Sequence, residues 1–191
     1  CISSFLFKSA YREPTMPLVF IYMETRREAW LDQQRNKMMT NMKKKPIELY
    51  IHIPFCIAKC PYCDFYSVTF QEQTADDYCK QMIRALSNAP GQGRKVDSVY
   101  FGGGTPVLLG ERLVYILNAV REHFDLTEDC EVTLEANPGT VDKEKLSFYK
   151  KAGINRLSFG LQSTDAEELK KLGRIHTWEK FLESFELARK A

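Results

Sequence analysis

The spacing of apolar and polar positions changes along the chain, and each change predicts a new element. "IELYIHI" (47–53) is rich in β-formers and alternates weakly, so it reads as a strand stopped by Pro54. "DYCKQMIRALSNA" (77–89) places Tyr78, Met82, Ala85, Leu86 and Ala89 on one helical stripe, closed by Pro90-Gly91. "VDSVYFGGG" (96–104) is a strand that runs into three glycines. "ERLVYILNAVREHF" (111–124) returns to helical spacing, with Leu113, Ile116, Leu117, Val120 and Phe124 on its buried face. A third strand is expected at "CEVTLEANP" (130–138). A third helix follows at 142–153, capped by Asp142 and closed by Gly153. "INRLSFGLQ" (154–162) reads as the fourth strand, and 165–173 and 178–190 as further helices.

Strands alternating with helices at this spacing make βαβ units and a parallel sheet, an α/β fold. Glycines and polar residues gather where the strands end, the face at which a (β/α) barrel carries its chemistry. Four βα units are visible by Ala191, too few to close an eight-stranded barrel. Residues 1–41 show neither period, and the chain begins at Cys1. Met42 stands directly before "KKKPIELYIHIPFC". The expected organisation is therefore a non-native or unstructured extension over 1–41. The N-terminal part of a longer domain then occupies 42–191, with its C-terminal part absent.

Composition narrows the function classes. Hydrophobic residues at 44% and charged residues at 27% fit a soluble globular chain. No apolar run reaches the ~18 residues of a membrane span. A net charge of +2 gives no case for nucleic acid. Six cysteines could staple a secreted protein, but no signal peptide precedes them and three are clustered. A reducing, cytoplasmic setting with metal binding is the better account.

The clustered cysteines are Cys56, Cys60 and Cys63, spaced C-x3-C-x2-C in a loop broken by Pro54 and Pro61 after the first strand. Thiolates bind zinc or iron–sulfur clusters. His52 could supply a fourth zinc ligand, although its place within the strand points it elsewhere. A [4Fe–4S] cluster held by three thiolates instead leaves one iron open to a ligand. "YFGGGTP" (100–106) ends its strand in glycines that let backbone approach a ligand closely. Glu135 ends the third strand, where a carboxylate reads equally as a solvated charge or as an acceptor for both hydroxyls of a ribose. Gln162 ends the fourth strand, and Arg174 and His176 lie beyond it. Cys79 and Cys130 read as buried small hydrophobes.

The cysteine motif after a first strand resembles the radical S-adenosylmethionine (SAM) superfamily. The resemblance implies a partial (β/α) TIM-like barrel, here stopping after about four units. It also implies a [4Fe–4S] cluster whose open iron is chelated by S-adenosylmethionine. Reduction then cleaves the sulfonium and releases a 5′-deoxyadenosyl radical.

"YIHIPFC", "CPYCDF", "FGGGTP", "LEANP", "GINRLSFGLQS" and "LKKLGRIH" together resemble oxygen-independent coproporphyrinogen III oxidase and its relatives, from about Ile47 to Ala191. That likeness implies that Cys56, Cys60 and Cys63 hold the cluster. It also implies that Tyr50, Tyr62 (through its backbone), Gly103, Gly104, Thr105, Glu135, Gln162 and Arg174 contact S-adenosylmethionine. The oxidase branch carries a fourth cysteine two positions after the third, and here that position is Phe65. The chain is thereby more similar to the heme chaperone branch. That branch implies heme or a porphyrin as cargo, an acceptor protein (a membrane-associated one included) and no nucleic acid. Oxidation of coproporphyrinogen III is the alternative.

Overall fold

Ile47, Leu49, Ile51 and Ile53 alternate with Glu48, Tyr50 and His52, and the structure separates the two sets onto opposite faces of one strand. The structure is a computed structural model that describes residues 21–24 and 45–191. Its strands are β1 (Ile21–Glu24), β2 (Ile47–Ile53), β3 (Phe55–Cys56), β4 (Val68–Thr69), β5 (Lys95–Gly103), β6 (Asp125–Ala136) and β7 (Arg156–Phe159). Its helices are α1 (Glu72–Ser87), α2 (Glu111–His123), α3 (Lys143–Lys151), α4 (Ala166–Lys171) and α5 (Trp178–Lys190), with a 3₁₀ turn over Pro106–Leu109.

The main sheet has the order β1-β2-β5-β6-β7. Strands β2, β5, β6 and β7 are parallel, and β1 joins the outer edge of β2 antiparallel, with Ile21 opposite Ile51. The predicted parallel α/β sheet of four βα units is therefore observed. Ile21–Glu24 of the N-terminal extension adds a strand to it, and the rest of 1–41 lies outside the described residues.

The two faces of the sheet differ in kind. On one, Ile51, Val99, Phe101, Val132 and Leu134 are buried beneath the helices with Met82, Leu113, Ile116 and Leu117. At roughly 25 cal/mol per Å2 of apolar surface removed from water, this face supplies the main stabilisation of the fold. The other face presents Tyr50, His52, Ser98, Tyr100, Glu131, Thr133, Glu135, Arg156 and Ser158, in register across the strands. An inner face of this composition is built around polar groups rather than around the branched aliphatic layers that fill a closed barrel.

Several boundaries differ from those predicted. Helix α1 starts at Glu72 rather than 77, and its N-cap, Gln71, makes no side-chain capping bond. Strand β6 begins at Asp125 rather than 130. Its register against β5 jumps from Val96↔Leu126 to Ser98↔Glu131, an irregularity that hides its first residues from a period-two reading. Strand β7 ends at Phe159 rather than 162, because Gln162 takes a left-handed conformation with φ 69°. The helix predicted over 165–173 is shorter, with Asp165 as its N-cap.

Candidate functional site

Strand β2 ends at Ile53, and the chain then makes a closed loop that carries the three cysteines. The parallel pair β3–β4 pins its base, with Val68 N donating to Pro54 O (2.7 Å) and Phe70 N to Cys56 O (2.9 Å). Inside the loop, Cys63 N donates to Cys60 O at 3.0 Å. The glycine turn after β5 is stitched to the same loop. Gly104 N donates to Ile53 O (2.8 Å) and Thr105 N to Phe55 O (2.6 Å).

These bonds explain two of the glycines. A Cβ on Gly104 would lie 2.5 Å from Phe55 O and 3.0 Å from Ile53 O. The backbone of the cysteine loop, rather than ligand space alone, thus demands the absence of a side chain at Gly104. Gly103 has φ 113°, and a Cβ there would strike the His52 ring at 2.6 Å.

His52 does not join the cysteines. It is buried, with Nε2 at 2.8 Å from Tyr66 O and Nδ1 at 3.3 Å from Tyr50 OH.

The ends of the four parallel strands surround a cavity of about 440 Å3. Cys56, Cys60 and Cys63 line one side of it. Gly103, Gly104, Thr105, Glu135, Gln162 and Arg174 line the rest, with Tyr62 at the cysteine side. Ten of the eleven residues singled out from sequence are therefore brought together. Tyr50 is the exception. It lies behind the cavity wall, stacked on Tyr100 with ring centroids 5.8 Å apart, and Tyr100 in turn bonds the wall residue Glu135.

The electrostatics of the site come from a few fixed groups. Glu135 is held by two donors, Tyr100 OH to Oε1 (2.7 Å) and Gly103 N to Oε2 (3.0 Å). Burial, and then the Glu135 carboxylate, raise the Tyr100 phenol above its ordinary pKa, so it remains a donor. A carboxylate has about four lone-pair sites, so two remain for a ligand. Burial raises the Tyr62 phenol as well, partly offset by the Arg174 guanidinium beside it.

Arg174 Nη1 lies 3.8 Å from Cys60 Sγ, and Thr105 Oγ1 lies 4.0 Å from Cys56 Sγ. Arg174 Nε is buried and has no hydrogen-bond partner among the described residues, a donor suited to a ligand's acceptor. His176, buried, contacts Leu161 O at 3.0 Å through Nε2.

The donor set fits a cluster with one open iron. A cluster distributes thiolates over separate irons, so it needs them to line one cavity rather than converge on a point. Among the described residues no three His, Cys, Asp or Glu converge to hold a single ion, whereas the three cysteines do share the cavity wall. The remaining described cysteines play a structural part. Cys79 is buried, its Sγ 3.5 Å from Arg112 O, and burial pushes the Cys130 thiol up to about 11.

Sequence reading missed Tyr100, Asn137 and the cavity-facing side of Gly160. None belongs to a residue type that signals chemistry by itself, and Tyr100 and Asn137 acquire their partners Glu135, Thr105 and Arg174 through pairings more than thirty residues apart.

Comparison with known proteins agrees with this geometry. The model of the radical SAM superfamily matches residues 50–191. The chain is 48% identical over 139 residues to the heme chaperone HemW of Escherichia coli (strain K12), a match covering 71% of this chain and 37% of that protein. It is 42% identical over 142 residues to the heme chaperone HemW of Haemophilus influenzae, covering 70% and 37%. Among solved structures, the coproporphyrinogen III oxidase HemN of Escherichia coli, a radical SAM enzyme, aligns with a TM-score of 0.72 at 27% identity. That alignment covers 84% of this chain and 38% of that one. The chain thus spans little more than a third of the length of these relatives. The matched span runs from Tyr50 in β2 to Ala191 and contains all three cysteines and the cavity they line, and on this ground the chain belongs to the radical SAM superfamily.

Proposed function

We propose that the chain is the cluster-bearing part of a heme chaperone, a protein that binds heme and delivers it to an acceptor. The observation that carries this reading is Phe65. The oxidase resemblance calls for a further thiol at this position, yet an apolar ring stands there, 61% exposed and on the wall of the cavity. Ile57 and Ile175 are also exposed and line the same cavity, and with Phe65 they give it apolar surface suited to a flat hydrophobic cargo. The similarity to proteins named heme chaperones points the same way.

In this reading Cys56, Cys60 and Cys63 hold a [4Fe–4S] cluster. Gly103, Gly104 and Thr105 meet the methionine end of S-adenosylmethionine, and Glu135 takes its ribose hydroxyls. Tyr62, Gln162 and Arg174 complete the contacts from the cavity wall, while Tyr50 acts through its stack with Tyr100. A cluster held by Cys56, Cys60 and Cys63 would supply one-electron reducing chemistry to the bound S-adenosylmethionine. The chain's own residues bind the cofactor, orient it and aim donors at the thiolates. A cytoplasmic, reducing setting keeps the thiolates available. The acceptor is a heme-accepting protein, a membrane-associated one included. None of the described helices is long and apolar enough to cross a membrane.

A second reading is favoured by the fold shared with coproporphyrinogen III oxidase: oxidative decarboxylation of coproporphyrinogen III. One experiment separates them. The full-length protein, reconstituted anaerobically, is expected to carry about four irons per chain, to bind heme, and to leave coproporphyrinogen III unconverted. Cys60→Ala is expected to abolish iron uptake. Steady formation of protoporphyrinogen IX would move the protein to the oxidase class.

A further inference from the structure

A chain of side-chain contacts runs across the cavity from one cysteine to another, through a residue that carries no assigned role. Arg174 Nη1 faces Cys60 Sγ at 3.8 Å, and Nη2 donates to Asn137 Oδ1 at 2.6 Å and to Gly160 O at 2.7 Å. Asn137 Nδ2 donates to Thr105 Oγ1 at 2.9 Å, and Thr105 Oγ1 faces Cys56 Sγ at 4.0 Å. Four segments meet in this circuit: the turn after β5, the end of β6, the end of β7 and the residues after α4. Asn137 is its centre.

The circuit has a direction. A guanidinium has donors and no acceptors, so Asn137 must turn its carbonyl oxygen toward Arg174. The amide NH2 then faces Thr105 and occupies the acceptor side of the hydroxyl. A threonine hydroxyl has one proton, and it is thereby left for the Cys56 sulfur. The charge of Arg174 thus fixes, through one amide, the orientation of a donor at a different thiolate. Thr105 is buried, so water does not compete freely for that proton. Gly160 leaves room around the circuit: a Cβ there would lie 3.0 Å from Asn137 Oδ1, 3.1 Å from Gln162 Nε2 and 3.4 Å from Arg174 Nη2.

We infer that Asn137 is a positioning residue for the cluster: it orients Thr105 toward Cys56 and Arg174 toward Cys60, and so sets the reduction potential. Hydrogen bonds to the sulfurs of a cluster favour its reduced, more negative state. This rests on the cluster reading proposed above. Asn137→Asp tests the direction of the circuit because it keeps the shape and the bond to Arg174. A carboxylate accepts from both neighbours, so the Thr105 proton turns away from Cys56.

The experiment uses the full-length protein with its cluster reconstituted anaerobically. Iron content of the parent decides the cluster reading by itself. A reductive titration followed by electron paramagnetic resonance then decides the inference. Asn137→Asp is expected to bind iron like the parent, with an equilibrium constant for one-electron reduction lowered several-fold. The same change in a Thr105→Val background is expected to give a clearly smaller drop, since the proton it redirects is gone. A parental potential in Asn137→Asp, or an equal drop in both backgrounds, would overturn the inference. If Asn137→Asp does not take up iron, Asn137→Ala replaces it, as it removes the amide that bridges Arg174 and Thr105. An unshifted potential in that variant is then the overturning result.

Discussion

Glu135 shows how much of a functional side chain is set by neighbours that no motif includes. Its placement at a strand end is visible in "LEANP", but the two donors that fix its oxygens come from β5, through Tyr100 and Gly103. Tyr100→Phe keeps the ring against Tyr50 and removes only the hydroxyl. A hydrogen bond to a charged group contributes roughly 1.5–3 kcal/mol. The expected outcome is S-adenosylmethionine binding weakened about tenfold, measured by calorimetry, with unchanged iron content; parental affinity would leave Tyr100 without a part in the site. The clustering of the cysteines and the glycine turn was legible in residue type and local spacing, whereas Glu135 and Arg174 read alone as solvated polar groups and drew their proposed roles from the family resemblance. Asn137 was not legible, because an amide between Arg174 and Thr105 becomes informative only after pairings of 37 and 32 residues are made. His176 adds a pH effect. Burial lowers its pKa, the Leu161 carbonyl opposes that, and Arg174 adds to it. The folded form therefore stays neutral where the unfolded chain, near pH 6.5, begins to take up a proton. Stability from this group is complete above that value and is lost as pH falls through it. His176→Gln, which keeps a donor for Leu161, is expected to flatten the fall in melting temperature between pH 7 and 5.5.

At the scale of elements, caps were read well and uncapped ends were not. Asp142 accepts from Lys145 N at 2.7 Å at the start of α3, and Gly153 closes that helix with φ 93°, both as the sequence predicts. Asp142→Ala is expected to cost about 1 kcal/mol, measured by denaturant unfolding. Helix α1 begins five residues before its predicted start because nothing at Gln71 signals a cap, and Ala75 is a weak marker of the buried face. The turn after β5 carries a demand for glycine that its sequence alone does not display. Its glycines suit a ligand, yet Gly104 is packed against the backbone of Ile53 and Phe55. Gly104→Val is therefore expected to lower iron content together with S-adenosylmethionine affinity, because the displaced backbone leads directly into Cys56. Loss of affinity with full iron content would restore a purely ligand-facing role.

At the scale of the whole molecule, the sheet's edges and faces decide how it behaves in solution. In the expected partial barrel one face of each strand turns toward the interior, and the fourth strand is left at an edge of the sheet. The structure places polar residues on the inner face, among them Glu131, Glu135 and Arg156, with Arg156 bonded to Glu131 at 3.1 Å. Wetting that face therefore costs far less than wetting an aliphatic one. Strand β7 is an edge, but it is four residues long and begins with Arg156, features that blunt edge pairing. The longer hazard is β2, seven residues from Ile47 to Ile53 with an apolar alternation, and its outer edge is paired with β1 from the N-terminal extension. Removing residues 1–41 strips that cover and leaves the donors and acceptors of β2 open to another strand. The expected outcome is that a 42–191 protein self-associates at concentrations where the 1–191 protein does not, as read by size-exclusion chromatography with light scattering. Replacing Glu48 by Pro in the shortened protein should reverse part of that association if the edge is the contact, since proline removes a donor and bends the edge. Equal monodispersity of the 42–191 and 1–191 proteins would show that β1 protects nothing and that the extension is dispensable to the sheet.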